Sequence, residues 1–127
     1  MTDIADIDTP AVLIDLDRVE ANLGRAQAFA DKAGLKLRPH IKTHKLPRFA
    51  RRAIELGAVG ITVQKLGEAE VMADAGITDM LLTFNILGVP KTDRLCALIK
   101  RLKRMAVVLD NETVARGLSE AGVRNGV

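Results

Sequence analysis

The densest chemistry in these 127 residues is the block Arg38-Pro39-His40-Ile41-Lys42-Thr43-His44-Lys45. Three kinds of chemistry suit it. His40 and His44 stand four apart, a spacing that brings two imidazoles to one metal ion when the segment is helical. Pro39 argues against a helix, because it lacks an amide hydrogen and restricts the residue before it. On an extended segment the two rings need not converge. The cationic cluster could instead meet a nucleic-acid backbone, but it brings no aromatic side chain to stack on bases. The third possibility is a nucleophilic lysine. Arg38 and His40 precede Lys42 closely, and neighbouring positive charge with partial desolvation favours the neutral amine that attacks a carbonyl. Lys45 falls beyond the strand and Lys65 has the opposite parity, so Lys42 is the lysine the pattern favours. Most lysines at strand ends are simply solvated, and spacing alone does not separate the two cases.

These residues need elements to position them, and the chain alternates short Val, Ile and Leu runs with segments of helical period. That is the pattern of βα units and a parallel sheet. Strands are expected at 11–16, 35–42, 58–64, 80–85 and 105–110. A first helix follows an Asp17-x-x-Glu20 start signal, carries Val19, Leu23, Ala26, Ala30 and Ala33 on one face, and stops at Gly34. Later helices are expected from Pro47 to Gly57, between Gly67 and Gly76, after Pro90 and Lys91, and from an Asn111 N-cap to Ala121. The last four strands end 21 to 25 residues apart, room for one strand and one helix each. No linker or low-complexity tract interrupts them, and no internal domain boundary is expected.

Alternation within the strands says which side chains share a face. Leu35, Leu37 and Ile41 oppose Lys36, Arg38, His40 and Lys42. Val59, Ile61 and Val63 oppose Gly60, Thr62 and Gln64, while Leu82 and Phe84 oppose Leu81, Thr83 and Asn85. The apolar parity should pack on the helices. The polar parity then faces a barrel interior, where four unpaired cationic or imidazole side chains would be costly if dry. A wet, ligand-filled mouth compensates them, and Lys42, Gln64, Asn85 and Asp110 all fall at C-terminal strand ends, where parallel α/β barrels do their chemistry. An open sheet with its polar face in solvent is the alternative. Glu68 and Glu70 read as acids of a helix first turn, facing water.

Composition excludes several classes. Apolar residues make 48% and charged residues 28%, too apolar for a disordered chain. No unbroken apolar run exceeds five residues, as in 105–109, so no membrane span is expected. Three Phe without Trp or Tyr argue against a base-stacking nucleic-acid surface. The single Cys96 and an acidic start suggest a cytoplasmic protein without a secretory leader.

Three segments together are similar to a known family. They are Thr9-Pro10-Ala11-Val12-Leu13-Ile14-Asp15-Leu16-Asp17, then Arg38-Pro39-His40-x-Lys42-Thr43-His44-Lys45, then Gly60-Ile61-Thr62-Val63-Gln64-Lys65-x-Gly67-Glu68-Ala69-Glu70. They resemble, in order and over essentially the whole chain, the D-threonine aldolase and D-serine dehydratase-like family of fold-type III pyridoxal-phosphate enzymes.

The resemblance implies an α/β fold, the N-terminal half of a (β/α)8 barrel of the alanine racemase type. Residues 1–34 would hold a helix and one strand of a second, β-rich domain, and 35–127 the first four βα units. The resemblance also implies that Lys42 forms the Schiff base with pyridoxal 5'-phosphate. His40, Thr62, Gln64 and Asn85 are candidate cofactor contacts from their parity. A family barrel has eight strands, so the chain reads as part of a longer enzyme whose phosphate loops, β domain and metal ligands lie elsewhere; no metal ligand is assigned here. The expected reaction is retro-aldol cleavage of a D-3-hydroxy amino acid to glycine and an aldehyde, a lean that rests on Gln64-Lys65. A D-serine dehydratase-like elimination and a non-catalytic cofactor-binding or structural fragment are the alternatives. In the full-length parent a divalent metal (Mn or Zn) and a homodimer are expected, with a small D-amino acid as substrate and neither nucleic acid nor membrane as partner.

Overall fold

The computed structural model describes residues 3–127. Helix α1 (Leu16–Lys32) starts at an Asp15 N-cap, whose carboxylate accepts from the Arg18 N–H at 3.0 Å. It ends where the Leu35 N–H reaches the Ala30 carbonyl and the Gly34 N–H reaches that of Asp31. This paired closure needs a left-handed residue, and Gly34 supplies it at φ +66. Helices α2 (Pro47–Glu55) and α3 (Leu66–Asp74) close in the same way, Ala58 bonding to Ala53 and Ile77 to Met72. The chain continues through β1 (Ile61–Val63), β2 (Asp79–Leu82), α4 (Val89–Ile99), β3 (Arg104–Val107) and α5 (Glu112–Asn125). The Asn111 side chain caps α5, as expected, although the helix runs four residues past Ala121.

The three strands form one parallel sheet in the order β1-β2-β3, with Ile61, Met80 and Met105 in one register row and Val63, Leu82 and Val107 in another. Those two rows are the apolar parity, and the helices cover them. Ile61, Val63, Met80 and Leu82 are buried with Leu66, Ala69 and Met72 of α3 and Leu95 and Leu98 of α4. Each such side chain contributes about 1.5–3 kcal/mol by leaving water.

Two expected strands are corrected. Residues 11–15 pair with nothing among the described residues, and Val12, Leu13 and Ile14 are exposed there, Val12 at 93%. The apolar run that suggested a strand has no neighbouring ladder to join. The expected strand at 35–42 is reduced to a single parallel bridge between His40 and Thr62, then a 3-10 turn over Ile41–Thr43. Pro39 explains the loss. The rung below that bridge needs an N–H from residue 39, which proline lacks. The segment still lies along β1, since the Leu37 and Pro39 carbonyls accept from the N–H groups of Val59 and Thr62.

Candidate active site

The second face of the sheet carries the polar parity. His40 bridges Thr62, Thr62 is in register with Leu81, and Leu81 with Ala106. One step towards the C-terminal ends come Gln64 and Thr83, and beyond them Asn85 and Asp110. The ladder persists past the strands, through Thr83 N–H to Val63 O and Val108 N–H to Leu82 O.

His40 has a partner at each ring nitrogen. Its Nδ1 accepts from the Lys42 backbone N–H at 3.2 Å, and its Nε2 lies 3.3 Å from Thr83 Oγ1. An accepting Nδ1 in a neutral ring leaves the hydrogen on Nε2, so His40 donates to Thr83. The Thr83 hydroxyl then donates to the Val63 carbonyl at 3.3 Å. The three bonds run in one direction, from the turn that carries Lys42 to the end of β1.

Lys42 itself is exposed in the 3-10 turn, and among the described residues its ammonium joins no ion pair. The cations expected around it are arranged differently. Arg38 turns to the opposite, N-terminal edge of the sheet, where its guanidinium lies 2.8 Å from Asp79 Oδ1 and within 3.4 Å of the Ile61 and Asp79 carbonyls. Asp79 thus takes up the charge that the sequence pattern set against Lys42. Gly60 makes room for this pair: at φ +152, a Cβ there would stand 2.4 Å from Arg38 Nη1 and 2.6 Å from the Asp79 carbonyl.

His44 has other partners than His40. Its Nδ1 accepts from the Leu46 N–H at 3.0 Å, and its ring meets Phe49 edge-on at 5.6 Å. Burial there lowers its pKa. The two imidazoles of the i, i+4 pair are therefore engaged separately, and no group of three His, Cys, Asp or Glu side chains gathers among the described residues.

The remaining candidates fall at the C-terminal rim. Thr62 is buried at 7% exposure and Gln64 is exposed just past β1. Asn85 donates to Asp110 Oδ1 at 2.8 Å, tying the ends of β2 and β3. That bond, with a second from Asn111 at 2.7 Å, holds the Asp110 carboxyl below the usual range.

Thr83 and Glu68 complete this part of the molecule, and sequence reasoning did not single them out as site residues. Thr83 had the correct parity but no motif. Glu68, expected in water, is 7% exposed; its Oε2 accepts from the Gln64 N–H at 2.9 Å, and its Oε1 lies 3.3 Å from Lys45 Nζ. Burial raises its pKa and is the largest single influence, but the Gln64 N–H, Lys45 and Lys65 together outweigh it and leave the carboxyl lowered.

A parallel sheet with helices on its apolar face and a lysine-bearing turn at the strands' C-terminal end defines the first part of an α/β barrel. Residues 14–127 match the family described as alanine racemase, N-terminal domain, and the chain belongs to that family. Among curated relatives, D-threonine aldolase of Arthrobacter sp is 39% identical over 123 residues, covering 97% of this chain and 32% of that protein. D-threo-3-hydroxyaspartate dehydratase of Delftia sp. (strain HT23) is 36% identical over 120 residues, covering 94% and 31%. The crystal structure of D-threonine aldolase from Filomicrobium marinum superposes with a TM-score of 0.93 at 45% identity, covering 98% of this chain and 33% of that one. The chain thus spans about a third of the length of the relatives it matches. No helix among the described residues is long and apolar enough to cross a membrane.

Proposed function

We propose that this chain forms the lysine-bearing part of a pyridoxal-phosphate-dependent lyase that cleaves D-3-hydroxy amino acids to glycine and an aldehyde. The observation that carries the reading is Lys42. It is an exposed primary amine at the C-terminal rim of a barrel sheet, on a turn fixed by its neighbour His40, in a chain 45% identical to a structurally characterised D-threonine aldolase.

The residues present fit such a cofactor. An aldehyde needs an accessible amine that is not consumed in an ion pair, and Lys42 is both. Lys42 would hold the cofactor through its aldehyde carbon, a role that needs the amine's lone pair free. His40 acts from the side: its Nδ1 accepts the Lys42 N–H, which fixes where the lysine's main chain leaves the sheet. Thr62, Gln64 and Asn85 offer hydroxyl and amide groups on the same face for the cofactor ring and substrate. Asp110 holds Asn85 in one orientation. Bound pyridoxal phosphate supplies an electron sink for the electron pair left on the substrate Cα.

Elimination is a second reading, favoured by the 36% identity to D-threo-3-hydroxyaspartate dehydratase. A divalent metal, Mn or Zn, belongs to both versions for the complete protein, as does a homodimer. The described residues bring no three metal-ligating side chains together, so no step here is assigned to the metal.

Turnover separates the readings. The complete protein with pyridoxal phosphate and Mn or Zn is expected to release glycine and acetaldehyde from D-threonine and not from L-threonine. Release of ammonia and a keto acid in place of glycine would favour elimination, and neither product with any D-3-hydroxy amino acid would overturn both.

A further inference from the structure

The turn that carries Lys42 ends in an anomaly. Lys45 has φ +54, a left-handed backbone that a non-glycine residue adopts at a cost, and it is the only such residue among those described. Its N–H nonetheless closes the turn, reaching the Ile41 carbonyl at 2.8 Å beside the longer 3.2 Å bond from His44. Something must hold Lys45 there. The side chain that meets it is Glu68, buried at the third position of α3, with Oε1 3.3 Å from Lys45 Nζ. The second oxygen is already engaged: Oε2 takes the Gln64 N–H at 2.9 Å, at the end of β1. The N-cap of α3, Lys65, makes no side-chain cap of its own. One carboxylate therefore joins the lysine turn to the rim of β1, and forms part of the wall of a cavity of about 340 Å³ with Lys45, Gln64, Lys65 and Phe84.

We propose that Glu68 is a positioning residue for Lys42: paired with Lys45, it latches the Ile41–Lys45 turn to the C-terminal end of β1 and so presents the Lys42 amine. The inference rests on the assignment of Lys42 as the cofactor lysine. A buried carboxylate would be costly without its partners, and these lie on the lysine turn and at the end of β1. Loss of the pair frees Lys45 to leave the left-handed region, which opens the bond to Ile41 and lets the lysine turn swing.

The test uses complete, cofactor-free protein and two readouts. The first is the rate at which pyridoxal phosphate followed by borohydride labels Lys42, located by peptide mapping; the second is amide exchange of the peptide spanning 41–46. Glu68→Gln keeps an oxygen for the Gln64 N–H but loses the charge opposite Lys45. Lys45→Met removes the other half from an exposed position, which keeps the test available if the buried substitution does not fold. Each is expected to slow labelling about fivefold to tenfold and to speed exchange in the turn, the size of an ordinary hydrogen bond's net contribution. The double variant should be no slower than the slower single, and Lys45→Arg should label as the wild type does. Wild-type rates in both single variants, or effects that multiply in the double variant, would overturn the latch while leaving Lys42 in its role. Absence of Lys42 labelling in the wild type would overturn the lysine assignment, and the latch with it.

Discussion

His40 is bonded at both ring nitrogens, to the Lys42 N–H through Nδ1 and to the Thr83 hydroxyl through Nε2. Thr83→Val keeps the shape and removes the hydroxyl, leaving His40 Nε2–H without its acceptor. A loss of about 1 kcal/mol is expected from thermal or urea unfolding, with the 41–43 turn loosened; an unchanged midpoint would contradict the relay. Gly60→Ala tests the other end of the sheet. Its Cβ would press on a backbone carbonyl as well as on Arg38, so stability should fall by more than about 1 kcal/mol, whereas Gly117→Ala, inside α5 with open space around it, should leave stability unchanged or raise it. The motif made His40 and Lys42 legible, because several unusual residues fall together within eight positions. Thr83 was not legible as a partner of His40: the two are 43 residues apart, and only the β1–β2 register unites them. Arg38 misled for the same reason, since Asp79, 41 residues on, decides where its charge goes.

Among the elements, the helices were the most readable, because their signals are local. Periodic apolar positions, Pro47 and Asn111 near the starts, and glycines just past the ends fix them within a few residues. The strands were readable only where a neighbour completes them. Residues 58–64 shortened to β1, and 35–42 fell to one bridge because a single missing N–H removes a rung. Residues 11–16 show the limit most clearly: an apolar strand pattern is a statement about a partner as much as about the segment. The start of α3 carries a pH prediction. Glu68 is held below the ordinary value of 4.5, so its contribution to stability is present above that value and is lost as pH falls through the lowered folded value. Urea midpoints of the wild type and Glu68→Gln should differ most near neutral pH and converge in acid. A gap that stays constant from neutral pH to about pH 3 would contradict a paired, ionised Glu68.

At the scale of the molecule, one face of the sheet is a dry core and the other a partly wet rim, and substitutions should divide accordingly. Leu82→Ala empties a fully buried position and should cost about 2–5 kcal/mol. Asn85→Ala at the rim should cost little stability, and on the proposed function its effect should fall on cofactor or substrate binding. The described surface also keeps Val12, Leu13, Phe84, Leu87, Val89 and Val108 exposed, with unpaired sheet edges beside residue 40 and β3. Residues 1–127 expressed alone are therefore expected to self-associate in sedimentation, since open edges and apolar surface recruit further chain.

Everything assigned to the rim depends on which amine meets the aldehyde. Borohydride reduction of the complete protein with bound pyridoxal phosphate, followed by peptide mass mapping, reads this directly. A single phosphopyridoxyl group on the peptide containing Lys42, absent in Lys42→Ala, is the expected result. The same group on Lys45, Lys65 or any other lysine, with Lys42 unmodified, would contradict it.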